Sequence, residues 1–286
     1  MAAELAVESR RGRTARAGLS VYAVGIYVFL FAPIVLLVLF SFNANRYGTF
    51  PITGWTLEWY RAAIHDYEVH DAVSTTLHIA LEVTIISTIV GTAAAFPLAR
   101  ARLPFRDGVR ILFVLPIMIP GLLIGVSLLV LFTQTLHHGL STQTAVIGQA
   151  VYTTPFVILI VAARLQGFDR RLERAASDLG ANTFNRLRLV VLPLLLPAIV
   201  AGALFAFTLS LDEFIITYFL IGGHNTLPIY IYTQVKFGIT PEVNAIATML
   251  LTASLTILAV AFAFPQVVRS IRGRSRRTPS EPRSAS

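Results

Sequence analysis

Apolar residues fall along the chain in runs of about twenty, at roughly 19–42, 75–98, 109–133, 145–164, 194–216 and 245–268, with polar and charged residues gathered between them. Runs of that length match the ~30 Å of hydrocarbon a helix must cross and are about twice as long as a barrel strand. Backbone polar groups in lipid have to be satisfied within each segment. The pattern therefore predicts an all-α membrane protein with six transmembrane helices and both ends on one side. The third run, LPIMIPGLLIGVSLL, carries Pro116, Pro120, Gly121 and Gly125 inside one apolar stretch. Such breaks free backbone groups that neighbouring helices or a water-filled cavity must satisfy, so this segment reads either as an ordinary kinked helix or as a moving, pore-lining one.

A charged, glycine-broken interruption lies between the fourth and fifth runs: RRLERAASDLGANTFNRLRLVVLPLLLP, residues 170 to 197. Asp169 is placed to cap a short helix, and Glu173 in its first turn suits the positive end of the dipole. Ala175 and Ala176 leave one face nearly bare. Gly180, after Leu179, can take the left-handed conformation that ends a helix, and Asn182 or Thr183 can cap the next. Arg174 and Asp178 stand four apart and can pair across the surface. On these residues alone the hairpin reads as a solvated loop or as a protein-docking element. Before the second run, WTLEWYRAAIHDYEVHDAV suggests a short interfacial helix, with Trp55, Trp59 and Tyr60 as belt anchors.

Charge then orients the spans. With the first 18 residues inside, 20 of the 23 Lys and Arg fall on the inner side, leaving only Arg46, Arg61 and Lys236 outside. That imbalance puts both termini in the cytoplasm and makes the net charge of +8 mainly a topology signal. A nucleic-acid surface would need basic residues interleaved with aromatics on a soluble face, and none is present. Residues 1–18 and 269–286 read as basic cytoplasmic tails, disordered and close to anionic lipid. The first run is too long for a signal-peptide core and reads as an uncleaved span. With no cysteine, disulfides, thiolate metal sites and cysteine nucleophiles are excluded. The six histidines show no ligand spacing that would argue for a metal.

Acidic residues within spans are costly and usually face a bundle interior or water. Glu82 in the second run, and Asp212 with Glu213 near the outer end of the fifth, are the candidates for meeting a cationic substrate. The acidic pair beside Phe214, Tyr218 and Phe219 would suit a polyammonium chain through charge pairing and cation-π contact; a structural cap or a pairing site for another subunit fits it as well. Tyr230 and Tyr232, with Gln234, Lys236 and Asn244, stand at the mouth of the last span, where an interfacial aromatic belt is the alternative.

Glu173, Ala175, Ala176, Leu179, Gly180, Ala181, Phe184, Leu192, Pro193 and Pro197 resemble the long cytoplasmic "EAA" loop of inner-membrane permease subunits of binding-protein-dependent ABC importers. One departure is Arg174, which stands directly before the alanine pair where the family commonly has an acid. Over residues 55–268, WTLEWYRAA, FVLPIMIPGLLIGVSLLVLF, PFVILIVAARLQGFD, LSLDEF and LPIYIYTQVKFGITPEVNAIATMLL are similar to the spermidine/putrescine-type permeases, specifically the second permease subunit. The resemblance implies a type I importer permease fold over 19–268 in a bacterial inner membrane. It also implies that the coupling loop, 166–193, docks on an ABC ATPase dimer through Glu173, Arg174, Ala175, Ala176, Asp178, Leu179, Gly180, Ala181 and Phe184. A homologous second permease and an extracytoplasmic substrate-binding protein would complete the machine. A substrate pathway is expected through Glu82, Asp212, Glu213 and Tyr218 on their own chemistry, and through Tyr230 and Tyr232, whose region the resemblance places facing the external binding protein and shaping the gate. No G-x-x-x-x-G-K-[ST] phosphate loop occurs, so the chain itself is expected to be non-catalytic and without cofactor, with ATP and magnesium held by the partner. A secondary transporter would need ion-coupling residues and detectable repeats, and an intramembrane enzyme a catalytic constellation; neither pattern is present.

Overall fold

The computed structural model describes the backbone of residues 2–47, 50–100, 106–238 and 240–274; the side chains of 2–17, 106, 107, 109, 110 and, except for 259, those beyond 256 lie outside the description. Along the chain run α1 (Ala2–Ser41), α2 (Glu58–His65), α3 (Tyr67–Arg100), α4 (Arg106–Met118) and α5 (Gly121–Val130), the last continuing into a π-helical turn, Leu131–Thr135. Then come α6 (Thr142–Gln166), α7 (Arg171–Asp178), α8 (Thr183–Arg186), a second π-helical turn (Leu187–Val191), α9 (Leu192–Asp212), α10 (Ile215–Leu220), α11 (Leu227–Phe237) and α12 (Pro241–Arg274). No strand forms among the described residues.

Four described helical stretches are long and apolar enough to cross a membrane: Gly18–Ser41, Tyr67–Arg100, Thr142–Gln166 and Thr183–Asp212. A fifth is added if Ile111–Met118 and Gly121–Thr135, bent by 102°, count as one broken span. The third apolar run is thus sharply broken rather than mildly kinked. Pro120 supplies no amide donor, and its carbonyl accepts instead from Leu123 N at 2.9 Å to open α5. The sixth run falls inside α12, part of whose side chains are not described. Residues 2–18 and 269–274, expected as disordered tails, are helical; helix propagates readily into Ala-, Glu-, Leu- and Arg-containing sequence next to an already formed span. The rest of the C-terminal tail, 275–286, lies outside the described residues.

Contacts divide the chain into two compact units, Met1–Asp66 with Thr233–Leu251 and Tyr67–Tyr232 with Thr252–Ser286. In the first, fully buried Asn43 organises the turn after α1. Its Oδ1 accepts from Asn45 N at 3.1 Å and Thr53 N at 3.2 Å, and its carbonyl accepts from Trp59 Nε1 at 2.8 Å. Ser41 Oγ and the Tyr60 hydroxyl lie 2.6 Å apart, so two of the expected belt aromatics are tied to the chain end of the first span. The helix expected over this region stops at His65, because Asp66 is extended, and α3 begins one residue later.

In the second unit α3, α6 and α9 pack on one another around two apolar clusters. One gathers Ile79, Val83, Val146, Ile216 and Leu220; the other gathers Ala95, Val157, Val161, Leu195 and Ala206. Gly91 allows the close approach of α3 to α6, since a Cβ there would stand 2.7 Å from Val157 Cβ. Ser87 Oγ and Thr153 Oγ1, 2.6 Å apart and buried, join the same helices, as a polar pair between spans must if neither hydroxyl is to be left bare in lipid.

Candidate functional site

The hairpin between the fourth and fifth apolar runs is built by its own sequence. Asp169 Oδ1 accepts from Arg171 N at 2.9 Å to start α7. Gly180 ends it at φ +85°, with Gly180 N donating to Ser177 O at 2.9 Å and Ala181 N to Ala176 O at 3.0 Å. That double bond closes the helix end, and only a residue without Cβ takes the conformation without strain. Asn182 Oδ1 then accepts from Asn185 N at 2.8 Å and caps α8. Arg186 stitches the two short helices together, donating from Nη1 to Ser177 Oγ at 2.8 Å and from Nη2 to Thr183 Oγ1 at 3.1 Å.

The hairpin is also fastened to a span. Arg100, at the end of α3, donates from Nη1 to Glu173 Oε2 at 3.0 Å, while Nη2 lies 2.6 Å from Oε1. Its guanidinium sits 5.6 Å from the Phe96 ring centroid and 5.4 Å from that of Phe168. A two-pronged ion pair between aromatic rings, with both side chains about a fifth exposed (23% and 20%), fixes α7 against α3 far better than a surface pair would. Glu173 therefore spends its carboxylate inside the chain. The expected Arg174–Asp178 pair does not form; both residues are exposed on α7 without an ion partner among the described residues. Side-chain entropy and solvent make an exposed pair worth only tenths of a kcal/mol, so nothing holds it. Ala175 is exposed and Ala176 and Ala181 are partly buried, whereas Leu179 at 89% exposure and Phe184 at 65% leave an apolar tip on the hairpin.

At the far end of α9, Glu213 works as a cap. Its Oε1 accepts from Ile216 N at 2.8 Å, and its Oε2 accepts from Thr217 N at 2.9 Å and Thr217 Oγ1 at 2.7 Å, starting α10. Asp212 is exposed one residue earlier. Beyond them the rings of Phe214, Tyr218 and Tyr232 form a mutual cluster, with centroids 4.8 to 6.0 Å apart, and Phe219 joins at 5.7 Å from Tyr218. Tyr218 and Tyr232 are exposed, so part of the cluster is open to the surroundings. Tyr230 is buried instead. Glu82 is half-exposed on α3, with Oε1 3.1 Å from His78 Nε2 one turn away; its partner is that histidine, not the aromatic cluster.

Sequence reading missed the polar hub beneath α10. Gln149, 1% exposed in α6, donates from Nε2 to Thr217 Oγ1 at 2.6 Å, and its Oε1 accepts from Ser210 Oγ of α9. Thr217 passes its own hydrogen on to Glu213, so Ser210, Gln149, Thr217 and Glu213 form one chain of hydrogen bonds. Thr144 Oγ1 adds a bond to Leu220 O at 2.6 Å at the other end of α10. The available signal was Gln149 itself, an amide in the middle of an apolar run.

In the other unit, Glu242 sits in the first turn of α12, outside the sixth apolar run. Burial first, and the Asp66 carboxylate second, hold its carboxyl above the ordinary carboxylate pKa. A raised folded-state pKa means the folded protein holds the proton more tightly. Stability from this group is therefore complete below the unfolded value and is lost as pH rises through the folded one. Glu242→Gln should flatten this part of the pH profile: in thermal melts from about pH 4 to about pH 7, wild type loses stability relative to the variant as pH rises. Parallel profiles for the two proteins would contradict it.

Comparison with known proteins bears on this geometry. Residues 87–273 match the family described as binding-protein-dependent transport system inner membrane component. The chain is 38% identical over 251 residues to the spermidine/putrescine transport system permease protein PotC of Escherichia coli (strain K12), covering 86% of this chain and 92% of that one. It is 36% identical to the putrescine transport system permease protein PotI of the same strain, covering 79% and 83%. Among solved structures, a bacterial ABC transporter involved in the import of the acidic polysaccharide alginate superposes with a TM-score of 0.74 at 15% identity, over 93% of this chain and 99% of that one, a likeness of fold.

Proposed function

The chain belongs to the binding-protein-dependent transport system inner membrane components, permease subunits that catalyse no reaction themselves, and from that premise we propose that it forms half of the pore of an ATP-driven importer of polyamines. The observation that carries the coupling half of this reading is the hairpin α7–Gly180–α8, held to α3 through Glu173 and Arg100 and ending in the exposed Leu179 and Phe184. A rigid lever clamped to a span and tipped with apolar side chains converts motion of a docked subunit into motion of α3. The docked subunit is an ABC ATPase dimer, which supplies the ATP and magnesium sites. Glu173 acts as the clamp, while Arg174, Ala175, Ala176, Asp178, Leu179, Gly180, Ala181 and Phe184 form or shape the docking face.

The substrate half rests on the two polyamine permease relatives and on the cluster of Phe214, Tyr218 and Tyr232 beside Asp212. Polyamines are flexible chains of ammonium groups, and exposed aromatic rings next to a carboxylate attract them without binding so tightly that release fails. Asp212, Tyr218 and Tyr232 would line the path directly; Glu213 would act through α10, with Tyr230 and Glu82 as more distant contributors. The arrangement in the inner membrane is six spans with both ends in the cytoplasm, the sixth provided by α12, following the distribution of Arg. A homologous second permease completes the pore, and an extracytoplasmic binding protein delivers the substrate.

A strain lacking this chain and any redundant system should lose most uptake of labelled putrescine, spermidine or both; undiminished uptake of both would overturn the substrate assignment. The hairpin has its own test. Gly180→Trp and Ala176→Arg should each weaken co-purification of the ATPase about tenfold or more, since the first forces a side chain into a left-handed position and the second fills the docking face. Unchanged co-purification would remove the hairpin as the docking element.

A further inference from the structure

We infer that the coupling hairpin is a basic socket that takes carboxylate side chains of the ATPase, a polarity set by four arginines around one neutralised glutamate; this rests on the reading of the chain as an importer permease. A cavity of ≈ 450 Å³ is lined by Arg100, Arg170, Glu173, Arg174 and Arg186. The only acid among them, Glu173, is matched by Arg100 in the two-pronged pair, so three guanidinium charges remain uncompensated in the cavity wall. Arg170, which immediately precedes α7, and Arg174 within it are both exposed and four residues apart, about one helical turn. Among the described residues Arg186 is engaged only by the hydroxyls of Ser177 and Thr183, neutral partners that leave its charge unspent, and its buried Nε has no acceptor there. Asp178, one turn along α7, forms no ion pair with Arg174 among the described residues, so the guanidinium keeps its hydrogen-bonding fork open.

The occupant is argued from what surrounds the cavity. The hairpin beside it carries Leu179 and Phe184 as an exposed apolar tip, and Leu172 on α7 is also exposed. A small phosphate or a lipid headgroup would use the guanidinium groups and leave those side chains in water. A protein surface with an apolar pocket rimmed by Asp or Glu uses both at once, the apolar contact giving affinity and the charges giving register and encounter rate. Fork-shaped guanidinium groups suit carboxylates in pairs, so the surface facing Arg170 and Arg174 carries at least one Asp or Glu within about 4 Å in the docked state.

The test uses the full chain in detergent or nanodiscs and its ATPase, with association followed by surface binding at several salt concentrations. Wild-type association should slow as salt rises; Arg170→Ala with Arg174→Ala should flatten that dependence, and Arg174→Glu should lower the association rate about tenfold at low salt. Both residues are exposed, so melting of the permease alone should not move. A Lys scan of the ATPase's surface acids in the Arg174→Glu background should return at least one variant that restores association. Unaltered salt dependence in the double variant, or no restoring position in the scan, would overturn the socket; addition of inorganic phosphate or anionic lipid restoring the wild-type salt curve to the double variant would do the same. If wild type itself fails to bind the ATPase, the importer reading fails instead, so the two failures are distinct.

Discussion

Arg100→Ala is expected to abolish ATP-driven uptake and to lower the melting temperature, because it strips the clamp that joins the hairpin to α3. The guanidinium holds Glu173 through Nη1 at 3.0 Å and Nη2 at 2.6 Å and lies between Phe96 and Phe168. Removing it leaves a carboxylate that is four-fifths covered without its paired guanidinium, with only Arg170, Arg174 and Arg186 along the same cavity to offset its charge. Breaking a buried pair from one side costs about 3–5 kcal/mol; with a fifth of each side chain still wet, about 2–3 kcal/mol is the fair expectation. Arg100→Lys should fall in between, since an ammonium keeps the charge but loses the fork and the stacking on two rings. Glu173→Gln is milder than Arg100→Ala in stability, because a neutral amide still accepts one hydrogen bond. In the double variant Arg100→Ala/Glu173→Ala, stability should recover part of the loss while uptake stays absent, because the lever is no longer fastened. Equal uptake by wild type and Arg100→Ala would show that force does not pass through this contact.

Gln149→Leu should lower stability by about 1–3 kcal/mol and cut uptake strongly, although the substituted side chain is apolar and close in size. Ser210 Oγ loses its acceptor and Thr217 Oγ1 loses its donor in a region closed to water, while Glu213 keeps its cap through backbone amides. The lower end of that range reflects the modest worth of interhelical hydrogen bonds in membranes, about 0.6 kcal/mol on average. The functional loss should exceed the loss of stability. Gln149 is the only bridge in this hydrogen-bonded chain that reaches from α6 to both α9 and α10, and α10 carries Phe214's neighbour Tyr218 to the aromatic cluster. Gln149→Glu should be worse than Leu, adding a buried charge without a cation. Melting in detergent and labelled-substrate uptake in parallel would check both statements; a variant with lowered stability but full uptake would confine the hub to a packing role.

What could be read from the residues was local or periodic. Gly180 announced its left-handed position and Asn182 its cap because both signals act within four residues, and four of the apolar runs, five with the broken pair, correspond to described helices long and apolar enough to span, because length and composition decide that. The break at Pro120 and Gly121 was visible, yet its 102° was not, since a missing amide donor permits a bend without setting its direction. The Arg100–Glu173 clamp joins residues 73 apart, and nothing in either neighbourhood names the other. Local reasoning instead paired Arg174 with Asp178, four apart on one helix, where solvent makes the bond nearly worthless. Glu213 stands out in the sequence as an acid near a span and reads either toward substrate or as a structural cap; in the fold both its oxygens begin α10. Gln149 gives no such signal: a neutral amide attracts no electrostatic attention in a sequence, but once buried it must find partners, and those partners define the hub.

The most direct test is uptake by proteoliposomes holding this permease, its partner permease and the ATPase, supplied with the extracytoplasmic binding protein and labelled putrescine or spermidine. The account requires ATP-dependent accumulation of at least one polyamine, lost when this chain is omitted and lost again with Arg100→Ala. Accumulation without ATP, or ATP-driven transport of an anion with neither polyamine moved, would contradict it.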